Sequence, residues 1–203
     1  MTAPAPAGPL TVNVAALLGE PSGSARDYVF DDLLLDLDRA GRIADAVDEV
    51  PVADPPILAE PVRSRFHLAR TNRGLLVDGD VAAALAETCS RCLRPLVVDL
   101  RAEIHEEALP SIDLASGAPL DRSPEPEVAR LTDHHEIDLE PFVREAILLA
   151  APIAPLCRPD CPGLCPVCGV ELGSGPHDHP EESIDPRLDA LRAFRVDGDD
   201  ETA

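Results

Sequence analysis

The chain has 203 residues, of which 45% are hydrophobic and only 2% aromatic, and its formal net charge is -21 at pH 7. This length fits one domain with appendages or two small domains. The negative charge argues against a protein that coats nucleic acid, and no apolar stretch approaches the ~18 residues of a membrane span. Because the N-terminus has no basic leader or long apolar run, the sequence predicts a cytoplasmic protein.

The first half of the chain favours β structure. Residues 1–9 are rich in Ala and Pro, and we expect them to be disordered. A β-rich domain is predicted over residues 10–108. Within it, Asp31–Arg39 fits either a strand or a helix, because Leu33, Leu35 and Leu37 alternate but also suit helical packing.

The clearest pattern runs from Pro61 to Ala108 and predicts an antiparallel meander. Its expected pieces, in chain order, are a strand at 65–70, a turn at 72–74, a strand start at 75–77, a turn or bulge at Asp78-Gly79, and a strand at 81–88. From Leu96 to His105, apolar and polar residues alternate as in a half-buried strand. Cys89 and Cys92 would then lie at a hairpin tip.

The second half combines loop, helix and a cysteine-rich coil. Residues 109–132 are rich in Pro, Asp, Glu and Ser and predict an exposed acidic loop. Residues 133–196 predict a short strand, a helix capped by Asp138 with Pro141 in its first turn, a metal-binding segment and a closing helix from Asp185. Residues 197–203 form an acidic tail. The predicted fold class is therefore α+β, a β-meander with a few short helices and a Cys-rich C-terminal segment.

All six cysteines fall in a metal-ligand pattern. The chain contains Cys89-Ser-Arg-Cys92, then Cys157, Cys161, Cys165 and Cys168, and finally His177-Asp-His179. A Cys-x-x-Cys turn presents two thiolates at the spacing that tetrahedral zinc requires. In Cys165-Pro-Val-Cys168-Gly169, the glycine permits a left-handed residue after the second cysteine. The eight candidate ligands predict one or two zinc ions.

Two partitions of these ligands are open. In the first, Cys89 and Cys92 join Cys157 and Cys161, while the later cysteines pair with the two histidines. Arg91, Arg94 and Arg158 flank the first group and could offset the -2 charge of a four-thiolate zinc site. In the rival partition, the four later cysteines form one local site and Cys89 and Cys92 remain free thiols.

The ligand set favours a structural metal over a catalytic one. Catalytic zinc usually keeps three protein ligands and an open position, and no carboxylate here is marked as a base. We therefore expect no enzymatic activity and no small-molecule substrate. A thiol–disulfide redox protein or sensor using Cys89 and Cys92 is the alternative, and a zinc-ribbon adaptor in transcription is a further one.

A few arginines are candidates for contact with a partner or with RNA. Between Glu60 and Arg101, seven arginines stand against five acidic residues, a local net charge of +2 in an otherwise acidic chain. The candidates are Arg63, Arg65, Arg70, Arg73, Arg91 and Arg94. The few aromatic residues do not cluster on one strand, so base stacking is poorly supported.

The motif Cys89-Ser-Arg-Cys-Leu-Arg-Pro95 resembles the YceD family, also called DUF177. The resemblance extends to Gly74–Val81, to the helix Phe142–Leu156, to the cluster Cys161–Gly169 and to Asp185–Leu191. It implies a bacterial or chloroplast protein needed for normal accumulation of large-subunit (23S) ribosomal RNA. Some relatives keep only the first Cys pair and a pair after the helix, which supports the first partition. Many relatives have Cys-x-Cys where this chain has His177-Asp-His179.

These features together predict a zinc-stabilised, non-enzymatic accessory factor for the synthesis, processing or stability of large-subunit ribosomal RNA. Its expected partner is a ribosomal protein or the large-subunit rRNA precursor. The charge favours a basic ribosomal protein, because a chain of -21 attracts cationic chains and repels phosphate.

Overall fold

A computed structural model describes residues 8–37, 56–113, 115–120, 128–175 and 179. The strands are β1 (Thr11–Asn13), β2 (Ala25–Leu33), β3 (Ile57–Leu58), β4 (Val62–Arg70), β5 (Leu75–Thr88), β6 (Pro95–Leu109), β7 (Ala129–Arg130) and β8 (Glu136–Asp138). The helices are α1 (Ala15–Leu18) and α2 (Glu140–Ala150), and a 3-10 turn covers Leu172–Ser174.

The main sheet has six strands in the order β2-β4-β5-β6-β7, with β3 also paired to β5. All its pairings are antiparallel except β6 with β7. The β5–β6 hairpin runs in unbroken register from Leu75 opposite Ala108 to Thr88 opposite Pro95. The predicted α+β class and antiparallel meander are confirmed, and Cys89 and Cys92 lie at the hairpin tip as expected.

One face of this sheet forms the core. Along β4, the even-numbered residues from Val62 to Leu68 are buried, while the odd-numbered residues between them are exposed. Helix α2 covers this inner face with Val143 and Ile147, which are fully buried. The opposite face, which we call the outer face, carries the exposed alternate residues of β2, β4, β5 and β6, as expected for a sheet packed on one side only.

The predicted turn or bulge at Asp78-Gly79 is wrong, because β5 passes through these residues without a register shift. Gly79 lies on the inner face opposite Phe66, and a Cβ at this position would approach Phe66 Cδ1 to 2.7 Å. The glycine therefore makes room for an aromatic ring that also packs edge-on against Phe30 at a centroid distance of 6.1 Å. A glycine within a strand marks close approach as often as a bend.

Gly79→Ala is expected to lower the free energy of unfolding by about 2 kcal/mol, because the new methyl group overlaps the Phe66 ring. Shortening the ring with Phe66→Leu in the same chain should recover part of that loss. Urea denaturation of the two single variants and the double variant measures the coupling. Equal and additive losses would contradict steric overlap as the cause.

The segment expected to be an exposed acidic loop, residues 109–132, is structured at both described ends. Leu109 ends β6, and Ser111 is buried. Near the other end, β7 pairs in parallel with the last two residues of β6, and Leu131 is buried. Apolar residues at the two ends of the segment explain this, since their burial outweighs the polar composition between them.

The region before α2 closes the core from a second side. Strands β1 and β8 pair with Val12 opposite Ile137, so the predicted short strand after His135 is confirmed. Asp138 accepts a hydrogen bond from the backbone N–H of Glu140 at 3.0 Å, and Pro141 lies in the first turn of α2. Pro141 therefore lies in the first turn as expected, whereas the N-cap position is Leu139 and Asp138, one residue earlier, bonds to the first N–H of the helix.

Helix α2 ends at Ala150 and delivers the chain to the cysteine segment. Arg144, which is largely buried, pairs with Glu140 one turn earlier and donates to the carbonyl of Asp36 at 3.1 Å. The helix is thereby tied to the segment after β2. For Asp31–Arg39, where the sequence fits either a strand or a helix, the structure places Asp31 to Leu33 in strand β2.

Several predictions fall outside the described residues. These are the disorder expected for residues 1–9 as far as residue 7, the closing helix from Asp185, the tail 197–203, and the ligand role of His177. In the part of the chain that is described, no helix has the length and apolar character needed to cross a membrane.

Candidate metal centre

Four cysteines from two distant segments meet at the hairpin tip. Cys89 and Cys92 come from the β5–β6 turn, and Cys157 and Cys161 come from the coil after α2. The Sγ atoms of Cys89 and Cys161 are 3.8 Å apart, those of Cys92 and Cys157 are 3.7 Å apart, and all four lie within 4.8 Å of one another.

These distances fit a tetrahedral ion. Zinc–sulfur bonds of about 2.3 Å place tetrahedral sulfurs about 3.8 Å apart, whereas a disulfide would bring two of them to about 2.0 Å. All six cysteines are free thiols. Cys89 is fully buried, and Cys161 and Cys92 are 2% and 8% exposed, so solvent reaches little of the cluster. Such a site could hold one soft, tetrahedral metal ion.

The Cys-x-x-Cys turns at 89–92 and 165–168 share one backbone conformation. In each, the first cysteine donates its N–H to the carbonyl five residues on, from Cys89 to Arg94 at 2.9 Å and from Cys165 to Val170 at 2.8 Å. In each, the first cysteine's carbonyl accepts the N–H four residues on, from Leu93 and from Gly169, both at 2.9 Å. The residue after the second cysteine has positive φ in both turns, 57° at Leu93 and 73° at Gly169.

The left-handed residue after the second cysteine is a leucine in one turn and a glycine in the other, which allows a matched test of backbone strain. Leu93→Gly should leave stability unchanged or raise it by up to about 1 kcal/mol, because glycine relieves the left-handed conformation and the lost side chain is already 64% exposed. Gly169→Leu should lower it by about 1 kcal/mol through backbone strain alone, since nothing lies within 4 Å of the new Cβ. Thermal melts of both variants with zinc check this. A marked loss in Leu93→Gly would show that Leu93 packs against something.

Backbone hydrogen bonds hold the tip against the coil independently of a metal. Ser90 donates to the carbonyl of Pro155 at 2.8 Å, and Leu164 donates to the carbonyl of Arg91 at 3.1 Å. Gly163 has φ 83° and passes so close to Arg91 that a Cβ would lie 3.1 Å from its carbonyl oxygen. The guanidinium of Arg91 also donates to the carbonyl of Cys161 at 2.9 Å. The two halves of the cluster are therefore brought together by the fold.

The thiols of this cluster differ in acidity. Backbone N–H groups of Cys92 and Cys157 point at the sulfur of Cys89 and lower its pKa to about 6. Burial, together with the neighbouring sulfur of Cys161, raises the pKa of Cys157 to about 12. The thiolate of Cys89 therefore forms readily near neutral pH, while the thiol of Cys157 stays protonated unless a cation lies among the sulfurs. The pKa of Arg94 is raised by Glu171 first and then by Cys92 and Cys157, so this guanidinium faces the cluster's negative charge.

A second cluster lies beside the first. Cys165, Cys168 and His179 bring their donor atoms within 4.8 Å of one another, with Cys165 Sγ 3.3 Å from His179 Nε2. Cys165 is buried, His179 is half-buried and Cys168 is exposed. This cluster is local, since its members span fifteen positions of the chain, and it is more open to solvent than the first.

The structure thus brings the seven described donors together as the first partition predicts. Cys89 and Cys92 join Cys157 and Cys161, and Cys165 and Cys168 join His179. The rival grouping of the four later cysteines is not what the geometry shows. His177 lies outside the described residues.

The six candidate arginines do not form one surface. Arg63 and Arg65 lie on the outer face, where Arg65 pairs with Asp80 at 2.9 Å. Arg70 donates to the carbonyls of Leu18 and Gly74, and Arg73 lies 3.8 Å from Glu107. Arg91 and Arg94 lie at the tip of the β5–β6 hairpin. Most of these side chains are therefore already bonded within the protein.

Sequence reasoning missed the role of Glu171. It forms an ion pair with Arg94 across 77 positions and joins the first turn to the strand-like segment after the second. No local pattern could have indicated this contact, because only the approach of the two turns creates it. Val170 and Leu172 beside it are about 46% and 41% exposed.

The match to a family model decides the relationship. Residues 77–195 match the model described as large ribosomal RNA subunit accumulation protein YceD. This chain belongs to the YceD family. The match contains the six cysteines and the whole β5–β6 tip, so the clustered thiols lie in the part of the chain shared with the family.

Mycobacterial proteins extend the similarity. Uncharacterized proteins of Mycobacterium tuberculosis and Mycobacterium bovis are each 35% identical over 181 residues, which is 89% of this chain and 79% of theirs. An uncharacterized protein of Mycobacterium leprae is 31% identical over 126 residues, covering 62% of this chain and 55% of its own length. No solved structure matches this chain.

Proposed function

We propose that this YceD protein is a zinc-stabilised, non-enzymatic accessory factor in the synthesis, processing or stability of large-subunit ribosomal RNA. The observation that carries the proposal is the meeting of four thiols at the tip of the family-matched region. The family description supports the process, namely accumulation of large-subunit rRNA.

The donor chemistry supports zinc as the ion. Four thiolates in tetrahedral spacing are typical of structural zinc sites, and hard cations such as magnesium prefer oxygen. Cys89, Cys92, Cys157 and Cys161 would hold one ion, and Cys165, Cys168 and His179 would provide three donors to a second. A bound ion supplies charge that lets all its thiols ionise and fastens the coil to the sheet.

A structural role follows from the number of donors. The first cluster offers four, so a bound ion keeps no position for a substrate. The cluster also lies in a small apolar packing unit of its own, with Leu96, Leu156 and Leu164 around the cysteines. Fastening a poorly covered segment is what such ions do in small domains.

The surface charge supports a cationic partner. The candidate arginines for phosphate contact are largely paired with acids or carbonyls, while the full chain carries -21. A basic ribosomal protein therefore fits better than naked rRNA, because association between opposite charges is favoured and steered over long range.

The test compares the two partners with the purified, zinc-loaded chain. We expect binding to basic large-subunit ribosomal proteins that weakens as salt rises, and weaker or no binding to precursor 23S rRNA. Fluorescence anisotropy over a salt series measures both. Salt-dependent binding to rRNA with none to the ribosomal proteins would reverse the choice of partner. Unchanged large-subunit rRNA levels in cells that lack the protein would contradict the proposed function.

Thiol redox chemistry is the second candidate, favoured by the lowered pKa of Cys89. The burial of Cys89 argues against redox chemistry, since thiol exchange needs an accessible sulfur. Rapid alkylation of Cys89 in zinc-loaded protein would support this candidate, and protection would reject it.

A further inference from the structure

The outer edge of β6 is a long open strand edge. Strand β6 pairs along one side with β5 over its full length, and on its other side β7 pairs only with Ala108 and Leu109. Among the described residues, nothing else pairs with this second side, so backbone groups from Val97 to Glu107 have no strand partner there. Open edges of this length are templates for pairing with another chain.

The opposite edge of the sheet differs, because β2 carries a protective irregularity. Its pairing with β4 shifts register between Phe30 and Leu33, and Asp32 there has φ 57°. Bulges and charges of this kind blunt an edge. By contrast, β6 has no proline between Leu96 and Leu109, and its pairing with β5 shows no shift. Only Glu106, near one end, places a charge in the inner-face row.

The charges along β6 are complementary to those of a second β6 strand that runs in the opposite direction. On the outer face, the order is Asp99, Arg101, Glu103 and His105, all exposed. An antiparallel copy centred on Ala102 would place Arg101 opposite Glu103 and Asp99 opposite His105. Shifting the centre by one residue, to 101 or 103, places like charges opposite each other instead, which is unfavourable.

The inner face agrees with the same register. Leu100 and Ile104, which are 8% and 4% exposed, would lie opposite each other, and Ala102 would face its own copy. Ala102 is also the midpoint of the free edge from Val97 to Glu107, so this register pairs the whole edge. One register therefore satisfies length, apolar matching and charge together.

We propose that two copies of this chain associate through antiparallel pairing of their β6 edges about Ala102, forming one continuous sheet. The contact is isologous, so each charge pair occurs twice. Arg101, which has no partner among the described residues, gains Glu103 of the second copy. The cysteine tips would lie at opposite ends of the paired strands, and the proposed register uses none of their residues, so this proposal does not depend on the proposed function.

Sedimentation velocity of the full, zinc-loaded chain from about 1 to about 200 µM tests the proposal, a range suited to a contact of modest area. We expect a concentration-dependent dimer. Arg101→Glu and Glu103→Arg should each weaken it at least about tenfold, and the double variant should return to within about threefold. Arg63→Glu is the matched control, because it makes the same charge change on the same face across Ala82, away from the edge.

Hydrogen exchange supplies the second measurement. Amides between Val97 and Glu107 should become more protected as concentration rises. A monomer at every concentration would overturn the proposal, as would a dimer unaffected by Arg101→Glu. Protection of the edge that does not depend on concentration would show that the chain covers its own edge. Should Arg101→Glu fail to fold, Glu103→Arg alone carries the same comparison.

Discussion

Replacing Cys89 with serine is expected to remove one zinc ion per chain and to lower the free energy of unfolding by about 3 kcal/mol or more. Cys89 is fully buried, and its sulfur is 3.8 Å from that of Cys161. A hydroxyl there is a poor ligand and leaves the remaining thiols without a full donor set. For a chain of this size the loss corresponds to a fall in Tm of about 10 °C.

Cys168→Ser is the matched control for this prediction. Cys168 belongs to the second cluster and is exposed, so its loss should affect only the second ion, with a much smaller change in Tm. Native mass spectrometry counts the ions, and calorimetry gives Tm. Equal zinc content and equal Tm in Cys89→Ser and the unchanged protein would contradict a metal role for the first cluster. A larger effect from Cys168→Ser would reverse the order of the two sites.

Gly74→Ala is expected to destabilise the sheet by about 3 kcal/mol, the larger end of the range for steric insertion. A Cβ at Gly74 would overlap the backbone carbonyl oxygen of Ala108 and lie 3.1 Å from the Cα of Leu109. Both are backbone atoms at the end of β6, so rotation of a side chain cannot relieve the overlap. Relief would require the strands to separate at this end.

Gly19→Ala provides the control, since Gly19 has helical φ and its nearest neighbour to a new Cβ is 3.5 Å away. It should be neutral or slightly stabilising, because alanine restricts the unfolded chain. Urea denaturation of both variants measures the difference. A Gly74→Ala protein as stable as Gly19→Ala would show that the β5–β6 end is looser than the structure indicates.

The cysteine cluster and the main core are separate packing units, and this separation decides which part of the protein we expect to unfold first when zinc is removed. The main core includes Leu68, Val81 and Ile147, while the cysteines pack with a few leucines at the tip. Disruption should therefore begin in the coil after α2 and leave the inner face of the sheet packed. The division also explains how a chain with 2% aromatic residues keeps a core: aliphatic side chains from the sheet and α2 supply it.

Local patterns in the sequence determined the elements that depend on near neighbours. Alternation along residues 96–105 predicted β6, Pro141 placed the start of α2, and Cys-Pro-Val-Cys-Gly predicted a left-handed Gly169. Each of these features is set by the conformational preferences and burial of adjacent residues. The cysteine spacing likewise identified every donor that the two clusters contain.

Only the tertiary structure decided the features that depend on distant contacts. The joining of Cys89 with Cys161, the room that Gly79 makes for Phe66, and the pairing of Arg94 with Glu171 each arise where separate segments meet. A glycine that bends a chain and one that admits a ring look alike in sequence, and an arginine gives no local sign of the acid it will pair with. Sequence alone thus determined which side chains could bind, and the fold determined which of them lie together, because distance between side chains is set by packing and not by spacing along the chain.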